Sequence, residues 1–292
     1  MIHRNKEDFV EILQRSAKQK RFVLPLIEKD YYLTLILSRI HELSQDLIFK
    51  GGTCLNKIYF AYYRLSEDLD FSMKLPRYEA TRGERRKCIE SVKNKIKKFV
   101  ESLDMKIEDV GNPGRNESKQ YVYYLLYPSA IRSLEGRIKL EIGLRFNPVL
   151  PAQSLSVQHA FLHPFTGEPL FDGGKVNCLS LKEIVSEKLR AAALRETIAP
   201  RDFYDLDFIL RHDFNLADKE VIELFKKKIE EDGANTDLSK YCANLGRSDD
   251  EIKDMRSRIE KELFDVLTPD EKEKFNLDKA LERINKAMKG VK

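Results

Sequence analysis

Two aspartates in residues 64–71, which read RLSEDLDF, have the type and the spacing to bind a divalent cation. The segment alternates apolar and polar residues, and on a strand residues two apart point to one face, about 6.6 Å from each other. Asp68 and Asp70 can therefore share one cation while Leu69 and Phe71 face a core. Magnesium prefers a few carboxylates together with substrate phosphate oxygens. Taken alone, the pair also fits two solvated acids on an edge strand.

A glycine pair lies upstream of these acids, after the short apolar run 46–50 that reads as a strand. Gly51 and Gly52 fall between this strand and a helix, where they let the backbone approach a phosphate closely. The start of the helix adds N–H donors and the positive end of its dipole. Arg64 and Ser66 flank the acids and also suit phosphate contact. Their alternative interpretation is a turn arginine and a serine at the start of a strand.

A third acid, Glu141, lies in the alternating segment 139–144, whose apolar residues Leu140, Ile142 and Leu144 face the other side. Three inward carboxylates on neighbouring strands would form a metal-binding cluster. Glu141 is also a candidate general base, as are Asp70 and Asp205.

Charged residues recur in two consecutive helices that the sequence predicts near residues 181–195 and from Pro200 onward. They fall on single helix faces: Lys188, Arg195, Arg201, Asp202 and Asp205. Cations that face a phosphate site, with acids that orient them, would explain this pattern. The alternative is a surface face on which Lys188 and Arg201 pair with the two aspartates.

The elements that must position these residues predict an α/β (α+β) fold, with a small mixed sheet, flanking helices and a helical C-terminal region. Helices are expected at 5–20, 28–43, 79–103, 181–195 and through the rest of the chain, and strands at 46–50, 68–73, 105–110, 119–127 and 137–145. Residues 147–177 should be irregular, with one or two short strands. The expected domains are an N-terminal helical hairpin packed on the core, the core itself and a helical region: 1–45, 46–178 and 179–292.

Composition favours a globular protein without a membrane span. The 292 residues are 42% hydrophobic and 34% charged, and they include no apolar run of membrane-spanning length. The charged N-terminus does not resemble a signal peptide, so we expect a cytoplasmic protein. The four cysteines lie far apart and form no CxxC pair, which is typical of reduced structural thiols.

The net charge of +4 is mild, but basic residues are concentrated between positions 82 and 98. The only acids in this stretch are Glu84 and Glu90. Its cations are Arg82, Arg85, Arg86, Lys87, Lys93, Lys95, Lys97 and Lys98. Such a helix is a candidate contact for a nucleic-acid backbone, and the alternative is a solvated helix face.

Four ordered motifs resemble the AbiEii/AbiGii toxin family of nucleotidyltransferases, a branch of the polymerase-beta-like superfamily. They read FKGGTxL, RxSEDxDF, EKLRA and RDxYDL. The resemblance extends from about residue 28 to residue 210 and includes the segment Glu28-Lys29-Asp30-Tyr31. About 80 C-terminal residues carry none of these motifs.

The resemblance implies a nucleotidyltransferase-like core and magnesium-dependent transfer of a nucleoside monophosphate from a triphosphate to an acceptor. The acceptor would be RNA, such as tRNA, or protein, and Mn²⁺ is an alternative ion. It further implies a toxin of a toxin–antitoxin or phage-defence system, with a cognate antitoxin and no membrane partner. The implied triphosphate contacts are Gly51, Gly52 and Thr53; the metal ligands are Asp68 and Asp70, with Glu141 where the superfamily has a third acid; and the activity-critical residues of the last motif are Lys188 and Asp205.

Two other classes of function fit the same pocket. A phosphotransferase or kinase-like toxin would release a nucleoside diphosphate where a nucleotidyltransferase releases pyrophosphate. A non-catalytic nucleotide- or RNA-binding protein would bind triphosphate without turnover.

Overall fold

A computed structural model describes residues 1–109 and 111–291, and it confirms the predicted α/β class with a mixed sheet flanked by helices. The chain divides into two units, Met1–Leu179 and Ser180–Lys292. The first unit contains the sheet, and the second is helical. Across residues 1–109 and 111–291, no helix is both long enough and apolar enough to cross a membrane.

The sheet is mixed, and its central strands carry the predicted carboxylates. Its order is β3-β5-β6-β2-β1-β8-β7, and β4 pairs with the edge of β5. The strands are β1 Leu47–Lys50, β2 Asp68–Met73, β3 Lys106–Ile107, β4 Gly114–Arg115, β5 Gln120–Tyr127, β6 Gly136–Gly143, β7 Gln153–Ser156 and β8 Lys175–Cys178. β2 runs parallel to β6 and antiparallel to β1.

The helices agree with the predicted periodicity, apart from their ends. They are α1 Lys6–Lys20, α2 Leu24–Leu43, α3 Gly51–Cys54, α4 Arg82–Glu101, α5 Leu181–Leu194, α6 Pro200–Arg211, α7 Lys219–Glu231, α8 Asp249–Glu262, α9 Pro269–Lys274 and α10 Leu277–Met288. α3 continues into a π-helical turn, Leu55–Tyr59. α2 begins earlier than predicted because a proline occupies its first turn, where no intrahelical N–H donor is needed.

Two predicted segments differ from the structure. The strand expected at 105–110 is reduced to the two residues of β3, and Val110 lies outside the described residues. The long basic helix starts at Arg82 because Thr81 and Glu84 form a capping box there. Residues 147–177 contain the start of β8 and the whole of β7, in agreement with the predicted short strands.

The apolar residues of β2 and β6 form the centre of the core beneath the sheet. Leu69, Phe71, Leu140 and Ile142 are each at most 1% exposed. The residues between them point to the opposite face, as strand alternation requires. Burial of one face therefore determines which side of the sheet displays the acids.

A buried ion pair fixes the π-helical turn to α2. Lys57 is completely buried, and its Nζ lies 2.7 Å from Oδ1 of Asp30 and 2.8 Å from the Thr34 hydroxyl oxygen. The Tyr62 hydroxyl donates to the other carboxylate oxygen of Asp30 at 2.6 Å. Burial lowers the pKa of Lys57, and the charge of Asp30 opposes that change. The pair links the helix after the glycine motif to the helix beneath it.

We expect Lys57→Met to lower the free energy of unfolding by about 3 to 5 kcal/mol, because it leaves the Asp30 carboxylate buried without a cation. Lys57→Met/Asp30→Asn should recover part of that loss, since no charge is then left unpaired. Urea denaturation of both variants measures the difference. Equal or additive destabilisation in the double variant would contradict a buried charge pair at this position.

Candidate functional site

The predicted carboxylates lie in one row across three strands. Asp70 of β2 pairs in register with Lys50 of β1 on one side and with Glu141 of β6 on the other. Asp68, two residues earlier on the same face, is in register with Lys139. The row therefore places two acids side by side with a lysine next to each aspartate, and its two aspartates are half-buried.

The electrostatics of the row centre on Asp70. Burial, then the charge of Glu141 and that of Asp68, raise the pKa of Asp70 to about 6. Lys50 and Lys139 act in the opposite direction. The ionised form of Asp70 is thus disfavoured by its surroundings, and an additional cation beside it would relieve that cost.

Glu141 is already engaged by two neighbouring side chains. Its carboxylate oxygens lie 2.6 Å from Nζ of Lys139 and 2.6 Å from Nε2 of Gln120. Burial acts to raise the pKa of Glu141, but the hydrogen bonds and charge of Lys139, with Gln120 and Lys50, outweigh it and lower the pKa.

The three-carboxylate metal cluster expected from the sequence is not assembled. In the part of the chain that the structure describes, no three Asp, Glu, His or Cys side chains form a group that could hold a metal. The physical reason is the lysine at position 139, which shares the face of Glu141 and neutralises it. Asp68 and Asp70 remain as the candidate metal ligands.

The two glycines leave room for side chains of the site. Gly51 has φ +76°, and a Cβ atom there would lie 2.6 Å from Oδ2 of Asp70. A Cβ atom on Gly52 would lie 2.5 Å from Nη2 of Arg64 and 3.2 Å from Oγ of Ser66. Any larger residue would force these groups away, because real Cβ contacts are not that short. The glycine motif therefore accommodates the residues of the second motif.

Thr53 and Arg64 both have structural partners. Thr53 is 1% exposed, and its hydroxyl donates to the backbone oxygen of Asp68 at 2.5 Å, which ties α3 to the start of β2. Arg64 is 2% exposed, donates from Nη1 to the Leu65 oxygen at 2.8 Å and lies over the ring of Tyr63. These contacts show how the motif holds its own shape; the predicted phosphate contacts of Thr53, Arg64 and the half-buried Ser66 stay predictions.

The charged residues of α5 and α6 form a compact cluster in the second unit. Nζ of Lys188 lies 2.8 Å from Oδ1 of Asp202 and 2.8 Å from Oδ2 of Asp205. Arg195 Nη1 lies 3.0 Å from the second oxygen of Asp202. Within the described residues Arg201, which is half-buried, has no ion-pair partner.

The alternative interpretation, a charged face of α6 on the surface, does not agree with the burial of its acids. The side chains of Asp202 and Asp205 are 3% and 0% exposed, as deeply buried as Phe203 and Leu206. α6 packs against α5, α8 and α10, so helices cover the side that periodicity alone assigned to solvent. Lys188 pairs with both acids, as that alternative had it, whereas Arg201 does not.

Sequence reasoning missed three lysines. Lys57 carries the buried ion pair with Asp30, and Lys50 and Lys139 balance the row of acids. A signal was present for two of them: Lys139 is two residues from Glu141 and must share its face, and Lys50 directly precedes the glycine pair. Only the packing of α2 on the π-helical turn shows the role of Lys57.

Comparison with known proteins identifies the family of the chain. The sequence profile of the AbiEii nucleotidyl transferase toxin of type IV toxin–antitoxin systems matches residues 35–288. No curated protein sequence gives a significant match to this chain.

Solved structures share the fold. The chain is 17% identical to MenT4, a nucleotidyltransferase toxin from Mycobacterium tuberculosis H37Rv, with a TM-score of 0.55 over 96% of this chain and 97% of that one. It is 17% identical to JHP933 from Helicobacter pylori, with a TM-score of 0.52 over 91% of each chain. Because the profile spans most of the sequence, the protein belongs to the AbiEii nucleotidyltransferase toxin family, as its four motifs predict.

Proposed function

We propose that the protein transfers a nucleoside monophosphate from a nucleoside triphosphate to an RNA acceptor, such as tRNA, with Mg²⁺ held by Asp68 and Asp70. The observation that carries the proposal is the placement of these aspartates on one face of β2, with Gly51 packed directly against the carboxylate of Asp70. Membership of a nucleotidyltransferase family supports the reaction class. A cognate antitoxin is the expected partner, and the cytoplasm the expected location.

The donor set suits magnesium. Both candidate ligands offer carboxylate oxygens, which hard cations prefer, and two carboxylates leave positions for water and substrate phosphate. Gly51 lets the backbone pack directly against the Asp70 carboxylate, where a Cβ atom would lie 2.6 Å from Oδ2. Burial, then the charges of Glu141 and Asp68, raise the pKa of Asp70, and a bound cation would relieve that cost. Mn²⁺ prefers similar ligands and is an alternative ion.

In the proposed reaction the acceptor hydroxyl attacks the α-phosphorus, the bond from that phosphorus to the β-phosphate bridge breaks, and pyrophosphate leaves. The ion, when bound, would neutralise charge on the phosphate oxygens. Thr53 keeps Asp68 in place, and Lys50 and Lys139 limit repulsion within the row. Glu141, which Lys139 holds in its charged form, is the proposed acceptor of the hydroxyl proton.

We assign the phosphates of the nucleotide to the glycine motif of the first unit, with Gly51, Gly52, Thr53, Arg64 and Ser66. Within the second unit, the basic residues of the last motif, Lys188, Arg195 and Arg201, are candidate phosphate contacts. Asp202 and Asp205 would orient Lys188, which makes Asp205 a positioning residue for that cation. Arg201 supports the assignment because its charge has no ion-pair partner in the described part of the chain.

The position of a radioactive label tests the reaction. Each of ATP, GTP, CTP and UTP is supplied with ³²P at the α- or the γ-phosphate, together with Mg²⁺ and total RNA. Nucleotidyl transfer places the α-label on the acceptor and releases the γ-label as pyrophosphate. A kinase-like toxin would instead transfer the γ-label and release a nucleoside diphosphate. Label on protein in place of RNA would overturn the acceptor assignment alone.

Asp68→Asn or Asp70→Asn should abolish transfer while the fold remains intact, because each change removes a proposed metal ligand from a half-buried face. A loss of a few kcal/mol of transition-state stabilisation lowers the rate by orders of magnitude. Glu67→Gln is the matched control: it removes a carboxylate of the same motif that pairs with Lys29. Initial rates at saturating Mg²⁺ decide, and near wild-type turnover in either Asp→Asn variant would refute the site.

Lys188→Met should weaken triphosphate binding and also lower the free energy of unfolding by about 3 to 5 kcal/mol, since the buried Asp205 loses the cation beside it, whereas Asp202 keeps Arg195. Neutralising those acids as well, in Lys188→Met/Asp202→Asn/Asp205→Asn, should restore much of the stability without restoring the affinity. Calorimetric titration with a non-hydrolysable triphosphate measures affinity, and urea denaturation measures stability. If affinity returns together with stability, Lys188 acts only through the fold.

A further inference from the structure

A strongly basic pocket lies between α4 and the turn at residues 114–118, apart from the carboxylate row. Its volume is about 590 Å³, within the range of small-molecule and nucleotide sites. Its acids are Glu90 and Glu117. The cations that line it are Arg82, Arg86, Lys87, Lys93 and Arg115.

None of these five cations forms an ion pair within residues 1–109 and 111–291. Arg77, Lys106 and Arg137, by contrast, each pair with a glutamate. Unpaired charges of one sign around a concave surface focus the field and attract a counter-ion. The pocket therefore favours an anionic ligand.

The turn that forms one wall of the pocket is held in place by Arg85. Arg85, which the sequence suggested as a nucleic-acid contact, is buried instead and donates to the backbone oxygens of Ala80 at 2.5 Å and Glu117 at 3.1 Å. Three successive residues of the turn, Asn116, Glu117 and Ser118, have φ values of 47°, 52° and 65°. Non-glycine residues adopt this conformation at a cost, so the turn is maintained by its surroundings.

The ligand class follows from which groups the pocket presents. Lys93 Nζ lies 4.7 Å from the centroid of the Tyr121 ring, but that ring is 2% exposed and so offers no face for a base to stack on. Side-chain amides of Asn94, Asn112 and Asn116 complete the lining. Cations and amides without an accessible aromatic face recognise phosphate and sugar and do not read base sequence.

The strand that borders the pocket lies close to the strand of the candidate metal ligands. Tyr121 follows Gln120, and the Gln120 side chain holds Glu141 on the opposite face of β5. Only β6 separates β5 from the strand of Asp68 and Asp70, so the two strands are about 10 Å apart at the usual strand spacing. A single strand bound in the pocket would have to pass the end of β5 to reach the carboxylate row on the other face of the sheet.

We propose that this pocket binds backbone phosphates of the acceptor RNA close to the end that is modified. The inference rests on the proposed function, because it takes RNA to be the acceptor. It assigns the pocket a role in affinity for RNA of any sequence, separate from binding of the triphosphate.

Two matched double variants on α4 test the pocket. Lys87→Gln/Lys93→Gln removes two lysines that line it, and Lys95→Gln/Lys98→Gln removes two exposed lysines of the same helix that do not. Fluorescence anisotropy with a short labelled oligouridylate is measured between about 50 and 200 mM salt. We expect the pocket variant to lose roughly tenfold in affinity for RNA. The slope of log affinity against log salt should become shallower by about 1.4, because each of the two lost phosphate contacts contributes about 0.7 for a single strand. The control should change less than about twofold.

A second pocket variant controls for an effect on folding, because replacing Lys93 also removes its contact with Tyr121. Arg86→Gln/Lys87→Gln leaves that contact in place and should also weaken RNA binding. Equal losses in pocket and control variants, or unchanged binding in both pocket variants, would overturn the pocket.

Binding of a non-hydrolysable triphosphate is measured on the same proteins and should not change in the pocket variants. If the wild type binds triphosphate and transfers label but does not bind the oligonucleotide, the proposed RNA pocket is wrong. The proposed nucleotidyl transfer would still stand. If the wild type shows no transfer but the pocket variants alone lose RNA binding, the RNA pocket is supported. The proposed reaction would then be wrong.

Discussion

The parallel register of β2 with β6 is the constraint on which the site depends. It places Asp70 directly beside Glu141 and, by the same alternation, turns Leu69 and Ile142 into the core. A slip of one residue would exchange the two faces, burying carboxylates and exposing the apolar residues. Burial of the apolar face therefore specifies the position of the acids, and the arrangement of the candidate site depends on a hydrophobic interaction made on the opposite side of the sheet.

Charge compensation recurs in both units, and in each the charged residues of the motifs are less exposed than their types suggest. Asp30 is neutralised by Lys57 beneath the sheet, and Lys188 lies between two buried acids in the helical unit. Buried pairs of this kind contribute little net stability over apolar residues of similar volume, but each partner is costly to remove alone. Such pairs constrain which helix faces can pack together. Some charged residues of the motifs are therefore explained by assembly of the fold, and others by the proposed chemistry.

Local patterns predicted most of the elements and the position of the acids, because alternation on β2 and β6 and periodicity on α1 and α5 are properties of short segments. The exposure of α6 could not be obtained in this way: which of its sides meets solvent depends on the helices α8 and α10, far along the chain. Likewise, Lys139 takes Glu141 out of the predicted metal cluster through a side-chain contact, and Arg85 turns inward to brace a turn thirty residues away in sequence. These are tertiary effects that no window of sequence contains.

Gly52 and Arg64 occupy a single shared volume, since a methyl group on the glycine would meet the guanidinium at 2.5 Å. The two positions are consequently not independent during evolution. A larger residue at position 52 displaces the guanidinium unless position 64 has already become shorter, and shortening position 64 first leaves a void that water or a neighbouring side chain must fill. The double-glycine signature thus constrains sequence drift in two separate motifs at once, and the accessible route from one combination to the other passes through the shortened arginine position first.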